Sequence, residues 1–130
     1  PEFKTDRTTS ALIDFGEGRQ LTFTVSTQAV PYQRVNIFGT KARLEVEIPF
    51  NAPQGGAMKL WMDDGKKFGD ASAKVIKIDK ADQYQLEGEY FSRVVRGKEK
   101  LAYGVDDAIQ QARILDAVFR SAKSGKWEKP

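Results

Sequence analysis

Gln20-Leu21-Thr22-Phe23-Thr24-Val25-Ser26-Thr27-Gln28 alternates without a break. Leu21, Phe23, Val25 and Thr27 fall on one side; Gln20, Thr22, Thr24, Ser26 and Gln28 fall on the other. A period of two with one apolar side is a half-buried β-strand. On its N-terminal side Gly16-Glu17-Gly18 predicts a turn, because glycine takes positive φ at no Cβ cost. Thr8–Phe15 before it predicts a partner strand. Residues 1–7 read as an irregular polar lead-in. On the C-terminal side Pro31 interrupts the pattern, since proline cannot donate to a ladder.

Four further strands follow: Val35–Phe38; Leu44, Val46 and Ile48 alternating with Arg43, Glu45 and Glu47; Met58, Leu60 and Met62 alternating with Lys59, Trp61 and Asp63; and Ala73–Ile78. Turns are expected at Gly39–Ala42 and at Asp64–Asp70, and a loop over Pro49–Gly56. Short strands joined by tight turns predict an antiparallel meander rather than βαβ units.

The period changes to 3.6 near residue 80. Leu86, Tyr90, Phe91, Val94 and Val95 form one helical stripe that Gly97 ends. A second helix is expected from an N-cap at Asp106, with Asp107 at the positive end of the dipole. Its apolar face is read as Ala108, Ala112, Leu115, Phe119 and Ala122, with Gly125 as its stop. Strands first and helices last predict an α+β fold: an open-faced, mainly antiparallel six-stranded sheet with helices on one face. Tyr84, Tyr90 and Phe91 are expected in the core between helix and sheet.

At 130 residues the chain is expected to be one domain. Histidine and cysteine are both absent. That excludes Ser-His-Asp and Cys-His nucleophile systems, His/Cys metal centres and any disulfide framework. The lack of cysteine fits a reducing compartment, and a cytoplasmic location is expected. No apolar run approaches the ~18 residues of a membrane span, and no secretory leader pattern opens the sequence. The chain starts at Pro1 without a methionine and is read as a piece of something longer. Lys+Arg exceed Asp+Glu by 21 − 18 = 3. The acidic residues are interspersed, so the basic clusters at Lys98–Lys100 and Lys123–Lys129 are assigned to helix ends. No nucleic-acid partner is expected.

The side formed by Gln20, Thr22, Thr24, Ser26 and Gln28 is polar and uncharged. A solvated sheet face usually carries Lys and Glu. Small hydroxyl and amide groups lose water at modest cost when partnered, so this face suits cover by another sheet or a polar ligand. Threonine's preference for strands explains the same pattern with no partner at all.

Val30-Pro31-Tyr32-Gln33-Arg34-Val35-Asn36-Ile37-Phe38-Gly39-Thr40-Lys41-Ala42-Arg43-Leu44-Glu45-Val46-Glu47-Ile48-Pro49-Phe50-Asn51-Ala52-Pro53 resembles the C-terminal domain of the glucose-fructose oxidoreductase/inositol dehydrogenase (Gfo/Idh/MocA) family. So does the final helix, from Asp107 to Trp127. The resemblance runs from about Thr8 to Trp127. It implies that residues 1–130 are the substrate and oligomerisation domain of an NAD- or NADP-dependent oxidoreductase acting on a sugar or polyol. The Rossmann domain would lie outside this chain, and the open sheet face would pack against a neighbouring subunit. No cofactor is expected on this chain, which is predicted inactive by itself. The alternative is a free-standing sugar-binding or scaffold module.

Two departures from the family pattern stand out. Ala42 occupies a turn position usually held by glycine, a strained choice if φ there is positive. Gln111 stands where the final helix usually has asparagine.

Tyr32, Gln33 and Arg34 are the substrate-side candidates, since they follow Pro31 at a strand boundary; a surface turn with a packed tyrosine is the plainer reading. Gln20, Thr22, Thr24, Ser26, Gln28 and Trp61 are the interface candidates. Gly16-Glu17-Gly18 lacks the third glycine and the helix of a dinucleotide turn. Glu128-Lys129-Pro130 matches the family's catalytic Glu-Lys-Pro in letters only, because it follows a helix rather than a Rossmann strand. Asp63-Asp64 and Asp106-Asp107 read as turn and helix-start chemistry rather than acid–base pairs.

Overall fold

The computed structural model describes residues 5–69 and 71–130. The first four residues of the expected lead-in, and Asp70 of the expected turn, lie outside the described residues. Two compact units are present: Pro1–Val30 with Leu101–Pro130, and Pro31–Lys100.

In the first unit β1 (Thr8–Asp14) and β2 (Gln20–Ser26) form an antiparallel hairpin, from Thr8 opposite Ser26 to Asp14 opposite Gln20. The turn is closed by Phe15 N–H to the Arg19 carbonyl at 2.9 Å and Arg19 N–H to the Gly16 carbonyl at 3.0 Å. Gly16, Glu17 and Gly18 are all left-handed, with φ of 76°, 54° and 75°. Three successive positive φ values explain why glycine flanks the one side chain present. β2 stops at Ser26 because the Ser26 hydroxyl accepts the N–H groups of Gln28 and Ala29, at 3.1 and 3.2 Å, and turns the chain away. Gln28 therefore lies beyond the strand on which the alternation placed it.

The second unit holds β3 (Val35–Phe38), β4 (Arg43–Val46), β5 (Met58–Asp63) and β6 (Lys74–Ile78) in consecutive antiparallel order. The α+β class and the six antiparallel strands are as expected, but the strands divide into sheets of two and four instead of one sheet of six. The break falls after Ser26, where its side chain diverts the backbone and Pro31 offers no donor with which to continue a ladder. Pleating gives the four-stranded sheet two distinct faces. Val35, Ile37, Leu44, Val46, Leu60 and Ile76 share the apolar one; Arg43, Glu45, Trp61 and Asp63 share the other. At the β3–β4 turn Gly39 N–H donates to the Ala42 carbonyl at 2.9 Å, and a Cβ on Gly39 would sit 3.3 Å from that oxygen. Ala42 itself is not left-handed, so the strain it would suffer at positive φ does not arise.

Helix α1 (Gln83–Val95) starts at Asp82, whose carboxylate accepts the N–H groups of Tyr84 and Gln85. It ends in a Schellman motif: Gly97, at φ 67°, donates to Val94, and Lys98 donates to Arg93. Helix α2 (Val105–Ser124) begins one residue before the expected Asp106 cap, with Gly104 as the cap and no side chain bonded there. Asp106 and Asp107 lie in its first turn, where they complement the dipole without capping.

Burial also departs from expectation. The least exposed stripe of α2 is Ile114, Ala117, Val118 and Ser121, whereas Leu115 remains 57% and Phe119 45% exposed. The helix carries two adjacent apolar stripes, and periodicity alone does not rank them. Tyr84 and Phe91 are exposed rather than in a core, and the half-buried Tyr90 donates its hydroxyl to the Lys100 carbonyl at 3.0 Å. Among the described residues only Ala117 and Asp63 are buried.

Candidate functional site

The segment Pro31–Arg34 enters the four-stranded sheet with its side chains organised by partners distant in sequence. Gln33 Oε1 accepts the backbone N–H groups of Phe50 and Asn51, both at 3.2 Å. Arg34 Nε donates to the Tyr32 hydroxyl at 3.3 Å, and its guanidinium lies over the rings of Tyr32 and Trp61, at 5.7 and 5.2 Å from their centroids. Its Nη1 is 3.4 Å from a Glu45 carboxylate oxygen but has no hydrogen-bond partner. The Tyr32 hydroxyl, then Glu45 and Glu47, hold the Arg34 pKa above its ordinary value against the opposing effect of burial.

The β4–β5 register places Glu45 opposite Trp61 and Arg43 opposite Asp63. Arg43 Nη2 meets Asp63 at 3.2 Å and Arg43 Nη1 lies 3.8 Å from Glu45. The result is a ladder of alternating charge, Arg34–Glu45–Arg43–Asp63, across half-buried side chains. Asp63 is only 3% exposed. It also accepts from the Ser72 hydroxyl and from Gly65 N–H, which closes the β5–β6 loop. These donors, with Arg43, keep its carboxyl below the ordinary range although burial pushes the other way. Asp64 is held low as well, chiefly by its bond to Lys66. Asp64 is thus turn chemistry as expected, whereas Asp63 ends β5 and is held by an ion pair to Arg43 that the turn reading did not include.

Sequence reasoning put Tyr32, Gln33 and Arg34 on a substrate side and Trp61 at an interface. The structure brings Trp61, Tyr32 and Arg34 into one stack. It leaves Gln20, Thr22, Thr24 and Ser26 together in the other unit, along β2. There β1 supplies the rest of that face, which the alternation of β2 alone did not reveal. The Thr8 hydroxyl pairs with Ser26 at 2.7 Å and the Ser10 hydroxyl with Thr24 at 2.8 Å. Thr8 and Ser10 carried part of that signal in their spacing; Leu12 and Asp14, opposite Thr22 and Gln20, make the face less uniform than β2 alone suggested. Glu45 and Ser72 were not singled out, because only the strand register and the loop closure bring them into place.

Two motifs have local structural settings. Gly16-Glu17-Gly18 joins antiparallel strands with no helix N-terminus after it, so it does not fit a dinucleotide pyrophosphate. Glu128-Lys129-Pro130 is folded back on α2: Ser124 donates to Glu128 at 2.8 Å and Arg120 to the Lys129 carbonyl at 2.6 Å. Among the described residues no three acidic side chains converge as a metal site, and no helix is long and apolar enough to cross a membrane.

An antiparallel α+β domain without a dinucleotide turn, carrying an ordered loop at one sheet end, is the class that fold and site define. Residues 1–129 match the family described as the oxidoreductase family, C-terminal alpha/beta domain (Gfo/Idh/MocA), and the chain belongs to that family. It is 37% identical over 128 residues to an uncharacterized oxidoreductase, ORF334, of Rhizobium meliloti, which covers 98% of this chain and 38% of that protein. It is 27% identical over 113 residues to a D-xylose 1-dehydrogenase (NADP(+)) of Haloferax volcanii, covering 86% of this chain and 32% of that protein. The chain thus spans about a third of the length of the curated relatives it matches. No solved structure matches it.

Proposed function

We propose that this chain is the C-terminal part of an NAD(P)-dependent oxidoreductase that acts on a sugar or polyol. The observation that carries the reading is the family match over residues 1–129, reinforced by a relative named for D-xylose oxidation. The dinucleotide would be held by an N-terminal Rossmann domain, since nothing in Gly16-Glu17-Gly18 fits it. This domain would supply loop residues on the substrate side, from Tyr32, Gln33 and Arg34, and packing between subunits. The face formed by Gln20, Thr22, Thr24 and Ser26 of β2, with Thr8, Ser10, Leu12 and Asp14 of β1 beside it, would be covered by a second copy of the protein. Large apolar side chains left exposed, such as Leu12, Val25, Ile37, Met62 and Phe91, support a domain whose surfaces are completed by other parts of an assembly. The absence of cysteine supports a reducing, cytoplasmic setting.

The test is an assay of the full-length gene product with NAD⁺ and NADP⁺ against D-xylose and a panel of aldoses and polyols. Reduced dinucleotide should form with the full-length protein and not with residues 1–130 alone. Absence of turnover across the whole panel would overturn the reading in favour of a binding or scaffold module.

A further inference from the structure

The oxygen of Gln33 is committed inside the protein. Two backbone N–H groups point at it, those of Phe50 and Asn51, each at 3.2 Å. Both are donors, so the carboxamide orientation is fixed; its nitrogen cannot occupy that place. The two bonds tie the Tyr32–Arg34 segment to the loop that follows β4, across 17 and 18 positions of sequence. The residues flanking the clamp face outward: Tyr32 is 75% exposed and Phe50 67%. Arg34, on the other side of Gln33, is held by the Tyr32 hydroxyl, the Trp61 ring and Glu45.

We infer that Gln33 is a positioning residue: it locks two loops together so that Tyr32, Phe50 and Asn51 meet a polyol as one preformed surface, without touching the ligand itself. The inference rests on the sugar-oxidoreductase reading above. Exposed aromatic rings suit the C–H side of a sugar, while an asparagine and a tyrosine hydroxyl suit its hydroxyl groups. Loops ordered before the ligand arrives spare the entropy of ordering them on binding. Loss of the clamp therefore weakens ground-state binding more than the chemical step, and shows in KM.

The experiment uses the full-length protein with Gln33→Ala and Gln33→Glu. Glutamate retains an oxygen that accepts both N–H groups; alanine retains none. Hydrogen exchange of the peptide containing Phe50 and Asn51 should accelerate in Gln33→Ala and stay slow in Gln33→Glu. With the sugar that wild type oxidises best in the panel above, Gln33→Ala should raise KM about tenfold with kcat nearly unchanged, and Gln33→Glu should restore KM. If Gln33→Glu is as impaired in KM as Gln33→Ala, the carboxamide nitrogen meets the ligand and the positioning role falls. Faster exchange in Gln33→Ala with KM unchanged leaves the clamp purely structural, and also sinks the inference. Wild type that oxidises no sugar removes the functional reading itself, a failure visible before any variant is made.

Discussion

Asp63 shows what one side chain decides. It is a nearly buried carboxylate that accepts from Arg43, Ser72 and Gly65. Removing one partner of such a cluster leaves the other charges and donors uncompensated. Its pKa is lowered on folding, chiefly by the Ser72 hydroxyl and Gly65 N–H. A lowered carboxyl contributes stability that is fully present above the unfolded-state pKa and disappears as pH falls through the folded value. Asp63→Asn should therefore lower the melting temperature at neutral pH and flatten the acid side of the stability curve below about pH 4, the ordinary carboxylate range. Thermal melts from neutral to strongly acidic pH check this; parallel curves for variant and wild type would show that Asp63 is not the group responsible. The sequence read Asp63-Asp64 as a turn pair; Asp64 lies in the turn, whereas Asp63 is the last residue of β5. The sequence did not reveal Arg43, twenty positions upstream, because only the β4–β5 register puts that guanidinium opposite. The same holds for Arg34 and Trp61, which became one stack only when strands were aligned.

At the scale of elements, local chemistry was the more legible. Gly97 and Gly125 stop their helices where glycine was read as a stop, each at φ 67°. The start of α1 at Asp82 follows the same rules, but the stripe Leu86–Val95 marks only the helix interior and leaves the cap unspecified. Asp82 satisfies two otherwise orphaned N–H groups. Asp82→Ala should cost about 1 kcal/mol of stability, while Asp82→Ser should cost much less. Chemical denaturation followed by circular dichroism reads the difference; equal losses for the two would mean the cap is not what Asp82 contributes. The start of α2 was misplaced at Asp106 because an acidic residue suits both a cap and a first turn. Its less exposed stripe differs from the expected one because Ile114, Ala117 and Val118 are as well spaced as Ala108, Ala112 and Leu115.

For the molecule as a whole, the hydroxyl-lined face of β1 and β2 carries the proposed contact between copies. Thr22→Lys with Thr24→Lys puts two charges on that face and removes the Thr24 partner of Ser10. Sedimentation equilibrium of the full-length protein should give a multiple of the protomer mass for wild type and the protomer mass for the double variant. A monomeric wild type, or a variant of unchanged mass, places the contact elsewhere. The sequence by itself determined the six strands, the two helices, the α+β class and the family, because alternation, turn glycines and the amphipathic period are local properties of the chain. Only the tertiary structure decided that the strands form sheets of two and four, which stripe of α2 is least exposed, and which charged and aromatic groups meet around Arg34. Strand register and burial join groups far apart in sequence, and the Ser26 turn is set by its own side-chain bonds; a period of two or 3.6 records neither.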